Sequence, residues 1–274
     1  MLFAKVNGQQ LLYTDTASQN GTSDAPVIIF SHGLLMNHTM FAAQIAVLRQ
    51  KYRCIAWDER GHGLTNHGAE PTTFSYYDSA ADLAALLEHL NVRQAILAGM
   101  SQGGYLSLRA ALKYPELVRA LILLDTQAAR EDAESGERNV QFAHMWAENG
   151  ISDFLLDTAE QVIIGEGYPD IAAWREYWRA FPARNFAQCV NTLNGRDDIT
   201  KALHKIKVPA LVVHGDEDAA IPLERAEILA KELHAELVVI KGAGHAANMT
   251  HPSEVNTAIL KFLATLPPEI IPPK

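Results

Sequence analysis

Cysteine is scarce in this chain of 274 residues: there are two, Cys54 and Cys189, far apart in sequence. That excludes a disulfide-stapled scaffold. Cys54, inside the apolar run Cys54-Ile55-Ala56-Trp57, reads as a small core residue. No apolar run reaches the ~20 residues of a membrane span. The start, Met1 to Gly8, lacks a basic stretch followed by an apolar one, so no signal peptide is expected and the cytoplasm is the expected location. There is no basic cluster, and the formal net charge is −9, so neither nucleic acid nor an anionic membrane surface is an expected partner. No two histidines stand four residues apart in the manner of a helical zinc site, so no metal is expected, and no cofactor. Internal repeats are absent. The only biased tract is the Pro-rich end, Pro267 to Lys274, which reads as a frayed terminus.

What the chain does have is ample apolar material, nearly half its residues. Phe3 to Val6 and Leu11 to Thr14, joined by Asn7-Gly8, read as a tight hairpin. Asn20 to Asp24 reads as a loop. Six short continuous apolar runs follow: Val27 to Phe30, Cys54 to Trp57, Ala95 to Ala98, Leu121 to Leu124, Leu211 to Val213 and Leu237 to Ile240. Runs without polar alternation suit strands buried on both faces of a parallel sheet. Between them, Leu83, Leu86, Leu87 and Leu90 keep helical spacing, as do Val255, Ile259, Phe262 and Leu263. Pro222 and Pro252 stand where first helical turns begin. The pattern is α/β, a sheet with helices on both faces.

The alternation stops between about Thr126 and Gly195, where charge and aromatics rise: Phe142, Trp146, Phe154, Trp174, Tyr177, Trp178 and Phe181. This reads as several short helices inserted between two strands. Ligands bind at the carboxyl ends of strands in such sheets, so an insert leaving from there covers the site. Its aromatics then either line an apolar pocket or pack the insert's own small core.

Gly99-Met100-Ser101-Gln102-Gly103-Gly104 follows an apolar strand run and precedes a helical one. A serine between glycines at a strand-to-helix turn is a nucleophile elbow. Gly99 and Gly103 remove Cβ atoms where the chain passes close to itself, and Gly104 lets the helix pack on the strand. The helix N-terminus beneath Ser101 favours developing negative charge.

Acyl transfer by serine also needs a base, a group orienting it and donors for the oxyanion. His245, in Gly242-Ala243-Gly244-His245, is the candidate base, with His32, His62 and His214 as rivals. His214 is expected to point into the fold, and His62, in Asp58-Glu59-Arg60-Gly61-His62-Gly63, to organise a turn. Asp218 is the candidate orienting acid, with Asp216 and Asp125 as rivals. The oxyanion donors are expected to be the backbone N–H groups of Gln102 and Leu34, leaving both side chains free to vary. A substrate pocket is expected at His32, Met100, Trp146, Trp174 and Trp178.

Five ordered motifs now stand together: Ser31-His32-Gly33, Asp58 through Gly63, the serine elbow, Gly215-Asp216-Glu217-Asp218 and Gly244-His245. In this order the chain resembles the α/β-hydrolase superfamily from Phe3 to about Leu266. The resemblance implies an eight-stranded, mostly parallel sheet flanked by helices, with a helical cap inserted after the sixth strand. It implies a core of residues 1–125 and 201–274 and a cap of 126–200. The chain looks most like capped microbial esterases, enol-lactonases and cofactor-free perhydrolases. Asn185 to Cys189, leading through Asp198-Ile199-Thr200 to Val208-Pro209, is similar to the cap exit of enol-lactonases. Serine at 101 argues against epoxide hydrolases and haloalkane dehalogenases, which resemble this chain but carry aspartate there. Carbon–carbon bond hydrolases remain open, as does a non-catalytic receptor for a small ligand. The implied partner is a small-molecule ester or lactone. A carboxylate-bearing substrate would need a cationic cap residue, for which Arg175, Arg179 and Arg184 are available, unless they form solvated helix faces.

Overall fold

The computed structural model describes residues 1–17, 25–65, 72–165 and 167–267. The loop read at Asn20 to Asp24, and the Pro-rich end beyond Pro267, lie outside these residues. Strand β1 (Leu2–Val6) turns into β2 (Gln9–Asp15) through Asn7 at φ 49° and Gly8 at φ 75°. Both are left-handed, as a two-residue hairpin turn requires. Then come β3 (Val27–Ser31), β4 (Arg53–Trp57), β5 (Ala95–Met100), β6 (Val118–Leu124), β7 (Ala210–Gly215) and β8 (Glu236–Ile240). They form one sheet in the order β1-β2-β4-β3-β5-β6-β7-β8. β2 runs antiparallel to both its neighbours, and the pairings from β4 to β8 are parallel.

Alternate strand residues face opposite sides of the sheet and build two apolar layers. Ile28, Phe30, Ile96, Ala98, Ile122, Leu124, Leu211 and Val213 pack on one side with α1 (Ala42–Leu48) and the last long helix, Pro252–Thr265. Val27, Ile29, Leu97, Leu121, Leu123 and Val212 pack on the other. There they meet α2 (Tyr76–His89), α3 (Gln102–Lys113) and the helix Leu223–Leu233. β3, β5 and β7 are buried throughout, as continuous apolar runs require. β8 departs from that expectation. It is an edge strand with β7 as its one neighbour in the sheet order, and Val239 is exposed. An apolar run alone does not distinguish an edge from a centre.

The segment between β6 and β7 carries α4 (Ala133–Asn149), α5 (Asp153–Ala159), α6 (Ile171–Ala180) and α7 (Ala183–Asn194). Asp132 caps α4 by accepting from the Ser135 N–H, and Ser152 caps α5 by accepting from the Leu155 N–H. Its aromatics hold this segment together. Trp146 packs at a tilt against Phe186 at 4.8 Å and Phe181 at 6.2 Å, and Trp174 meets Tyr177 edge-on at 5.7 Å. Two of them dock it on the loops that follow β3 and β4. Trp178 Nε1 donates to the Leu35 carbonyl at 2.8 Å, and the Tyr177 hydroxyl donates to the Met36 carbonyl and accepts from the Gly63 N–H, each at 3.1 Å.

Trp178→Phe keeps most of the apolar volume and removes one donor. The buried Leu35 carbonyl loses its bond from the indole, so the variant is expected to be less stable by about 1–3 kcal/mol in chemical denaturation. Unchanged stability would mean that the indole N–H does not fasten the inserted helices.

Candidate active site

Ser101 stands between the end of β5 and the start of α3 at φ 53° and ψ −119°. Its N–H donates to the Leu124 carbonyl at 2.9 Å, and its own carbonyl accepts from Thr126 Oγ1 at 2.6 Å. Both partners come from β6 or the residues after it. The glycines around Ser101 each make room for backbone or side chain. A Cβ on Gly99 would fall 2.1 Å from the Gly103 carbonyl oxygen, and one on Gly103 would fall 2.0 Å from that of Ser31, in β3. A Cβ on Gly104 would meet the Thr126 methyl at 2.5 Å, so Gly104 opens space for β6's end.

The loop after β8 carries His245 over the elbow. His245 Nε2 lies 2.9 Å from Ser101 Oγ, and its Nδ1 lies 2.8 Å from Asp218 Oδ2. With Nδ1 protonated, Nε2 is free to accept the serine proton. Asp218 Oδ1 accepts from the N–H groups of Ala220 and Ile221. Burial pushes the Asp218 carboxyl up, but the His245 charge and the hydrogen bonds outweigh it and leave the carboxyl below its ordinary value. Burial pushes His245 down, and Asp218 more than offsets this and raises it.

The rivals have other partners. Asp216 is exposed and accepts from the Gly242 N–H. Asp125 is fully buried and accepts from the N–H groups of Gly215 and Ala247; burial, with Asp218 adding to it, holds its carboxyl far above the usual range. His214 is buried with Nε2 2.8 Å from the Ile221 carbonyl. His62 Nδ1 lies 3.0 Å from the Arg60 carbonyl. The hub of that turn is Asp58, which accepts from the N–H groups of His38 and Leu64 and leaves no room for a Cβ on Gly63. Asp125, His214 and Asp218 are close enough together to hold a cation; both carboxylates and His214 Nε2 already hydrogen-bond to backbone or to His245, while His214 Nδ1 has no hydrogen-bond partner among the described residues.

Gln102 is the first residue of α3, so its N–H is one of the helix's unpaired donors. Leu34 lies in a turn closed by the Met36 N–H on the Gly33 carbonyl at 3.1 Å. His32 belongs behind this turn and is not on the wall of the cavity beside Ser101. It is buried; its Nδ1 lies 2.8 Å from the Gly33 carbonyl, and its Nε2 accepts from the Glu59 N–H at 2.9 Å. The Gln102 side chain is not free either. It is buried, accepts from the Tyr76 hydroxyl and donates to Glu59 Oε2 at 2.8 Å. Burial pushes the Glu59 carboxyl up to about 7.

A cavity of about 200 Å³ opens beside Ser101 and His245. Met100 lies on its wall. Trp146, Trp174 and Trp178 do not, because they are committed to packing and docking the inserted helices. The wall comes instead from Leu34, Val162, Ile163 and Ile221 on the apolar side and Glu131, Arg138, Asn139 and Arg196 on the polar side. Sequence reading missed Glu131 and Arg196, which pair as an ion pair across the two ends of the insert. Arg175 instead pairs with Asp157 and Glu160, and Arg179 with Glu176 and Asp153; with Arg184, both lie off this wall.

The chain belongs to the alpha/beta hydrolase family, which it matches over residues 28–258. It is 29% identical to 3-oxoadipate enol-lactonase 2 of Acinetobacter baylyi over 244 residues, 87% of this chain and 89% of that one. A thermophilic esterase of Thermogutta terrifontis, solved with malate bound, superposes with a TM-score of 0.84 at 29% identity, covering 96% of this chain and 97% of that one. The enol-lactonase of Burkholderia xenovorans shares the fold at a TM-score of 0.85 and 24% identity, covering 96% of this chain and 100% of that one. The protein is thus a hydrolase, and no helix among its described residues is long and apolar enough to cross a membrane.

The Asp218–His245 pair has a signed pH dependence. Asp218's lowered value gives stability above its unfolded value, lost as pH falls through the folded one. His245's raised value gives stability below its unfolded value, lost as pH rises through the folded one. By NMR titration His245 is expected above the ordinary histidine value of about 6.5, and lower again in Asp218→Asn. An unchanged His245 titration in that variant would show that the carboxylate does not act on the imidazole.

Proposed function

We propose that this protein cleaves carboxylic esters of small to medium acyl chains through an acyl-enzyme on Ser101. The observation that carries the reading is the unbroken line from Asp218 through His245 to Ser101 Oγ, ending at a cavity. His245 Nε2 takes the Ser101 proton while Oγ attacks the ester carbonyl. The N–H groups of Leu34 and Gln102 stabilise the tetrahedral oxyanion, and the helix N-terminus at Gln102 adds to their field. The intermediate collapses, the alkoxide leaves with the proton from His245, and the acyl group stays on Oγ. Water then gives its proton to His245, attacks the acyl carbonyl and releases the acid and Ser101. Asp218, ionised, holds the imidazole in the productive tautomer and offsets its charge. The cavity, about 200 Å³, is below the 300–1,000 Å³ of sites for drug-sized ligands, which favours small acyl groups. In this reading residues 126–200 form a cap over a core of residues 1–125 and 201–274.

A second reading, an enol-lactonase or another hydrolase of carboxylate-bearing substrates, is favoured by Arg196. Its side chain is buried on the cavity wall, and its Nε–H has no partner beside the Glu131 pair. A buried unpaired guanidinium N–H suits an acceptor on the substrate.

Turnover of p-nitrophenyl esters of increasing acyl length tests the first reading. Ser101→Ala is expected to abolish it, and Asp218→Asn to lower kcat by about 10³–10⁴. Turnover surviving in Ser101→Ala sinks the proposal. For the second reading, a hemisuccinate ester is expected to outpace a neutral ester of equal length, and Arg196→Gln to remove that advantage.

A further inference from the structure

We infer that Glu59 is a positioning residue for the oxyanion hole, holding the Leu34 peptide through its backbone N–H and His32 and the Gln102 side chain through its carboxyl, so that the two backbone N–H groups converge. The inference rests on the reading of Ser101 as nucleophile and deepens it.

Glu59 reaches the two arms by different atoms. Its backbone N–H donates to His32 Nε2, which leaves His32 Nδ1–H to donate to the Gly33 carbonyl. That carbonyl belongs to the same planar peptide unit as the Leu34 N–H. Holding the oxygen on one side therefore aims the N–H to the other. The Met36 N–H grips the same oxygen, so the plane is fixed twice. Its side chain serves the second arm. Glu59 Oε2 accepts from Gln102 Nε2, and Tyr76 donates to the Gln102 amide oxygen, so both ends of that amide are held. Gln102 then sits without rotameric freedom at the first position of α3.

The surroundings keep Glu59 in place. It is 3% exposed, among Arg60, Asp82, Ser79 and Tyr76. Arg60 is committed to Asp82 by an ion pair. A buried carboxyl in such a position needs a hydrogen bond, and here Oε2 receives one from the residue that follows the nucleophile, while Oε1 has no hydrogen-bond partner among the described residues. Fixed donors stabilise an oxyanion because they need no reorganisation at the moment of reaction, so small angular freedom at Gln102 costs rate rather than binding.

The test compares Glu59→Ala, Glu59→Gln and Gln102→Met on a p-nitrophenyl ester, with kcat expressed per titrated active site. Glu59→Ala is expected to lower kcat by about tenfold with KM unchanged. It should weaken a trifluoromethyl ketone, whose hemiketal oxyanion occupies the hole, by the same factor. A loss of folding would reduce the active fraction but leave that inhibition constant alone. Glu59→Gln, whose amide oxygen accepts the same bond, is expected to recover most of the loss. Gln102→Met keeps the backbone N–H and should reproduce the Glu59→Ala split, and the double variant Glu59→Ala/Gln102→Met should be no worse than either single one. A folded Glu59→Ala protein with kcat within about twofold of wild type, or with undiminished inhibitor affinity, overturns the inference. If Glu59→Ala does not fold, Gln102→Met with unchanged kcat and inhibitor affinity overturns it instead. Turnover that survives Ser101→Ala overturns the serine-hydrolase reading. Turnover lost there but intact in Glu59→Ala overturns the role of Glu59 alone.

Discussion

Between β5 and α3 the chain changes direction within one residue, and Ser101 carries that change at a positive φ. A non-glycine residue in such a region costs about 1–3 kcal/mol and persists where the surroundings overdetermine it. Here they do. The Leu124 carbonyl takes the Ser101 N–H, Thr126 holds the Ser101 carbonyl, and Gly103 sits against the Ser31 carbonyl too closely for any Cβ. These clamps come from β6 and β3, the two strands flanking β5. The elbow is thus a property of the sheet's centre. It exists because β5 has a neighbour on each side whose end lies level with its own.

The same strand order delivers the rest of the site. β3 ends at Ser31 and runs into the Leu34 turn on one side of the serine. β6 ends at Leu124 and runs into Asp125 and the inserted helices on the other. β7 and β8, further along, supply Asp218 and His245 from the loops at their ends. Each contributor leaves from the same edge of the parallel sheet, so one layer of backbone fixes all their relative positions. Side-chain bonds then refine it, as between Trp178 and the Leu35 carbonyl.

How much of this could be read without coordinates follows from the range of each interaction. The elbow was legible because its constraint is local: three glycines and a serine within six residues, flanked by a strand run and a helix run. The eight strands were legible as apolar runs and a hairpin, and the α/β-hydrolase architecture was implied by the family resemblance that five ordered motifs carry. β8 was misjudged because an apolar run carries no record of how many neighbours it will have. The tryptophans were assigned to the pocket, yet composition is the same for a pocket wall and a packed group of helices. What separates the two is a partner such as Leu35, 143 residues from Trp178. The Gln102 amide finds Glu59 43 residues away, and Arg196 finds Glu131 across the whole insert. No spacing rule reaches that far, so side chains whose roles depend on such partners were invisible.

Two buried carboxylates, Asp125 and Asp218, lie near one imidazole, and their environments drive them apart. Asp218 receives backbone N–H groups and faces the His245 ring, so its charged form is favoured. Asp125 also receives two N–H groups, but deep burial and the nearby Asp218 charge favour its neutral form. Two adjacent carboxyls do not both ionise readily, so the charge settles where the imidazole is. Asp125 then acts as a brace. One oxygen holds Gly215, at the end of the strand leading to Asp218, and the other holds Ala247, two residues beyond His245. The two loops that must meet at the imidazole are pinned to a single side chain at the end of β6, beside the strand that carries the serine. In the proposed mechanism, that places the positioning of acid and base on the same sheet edge that strains Ser101.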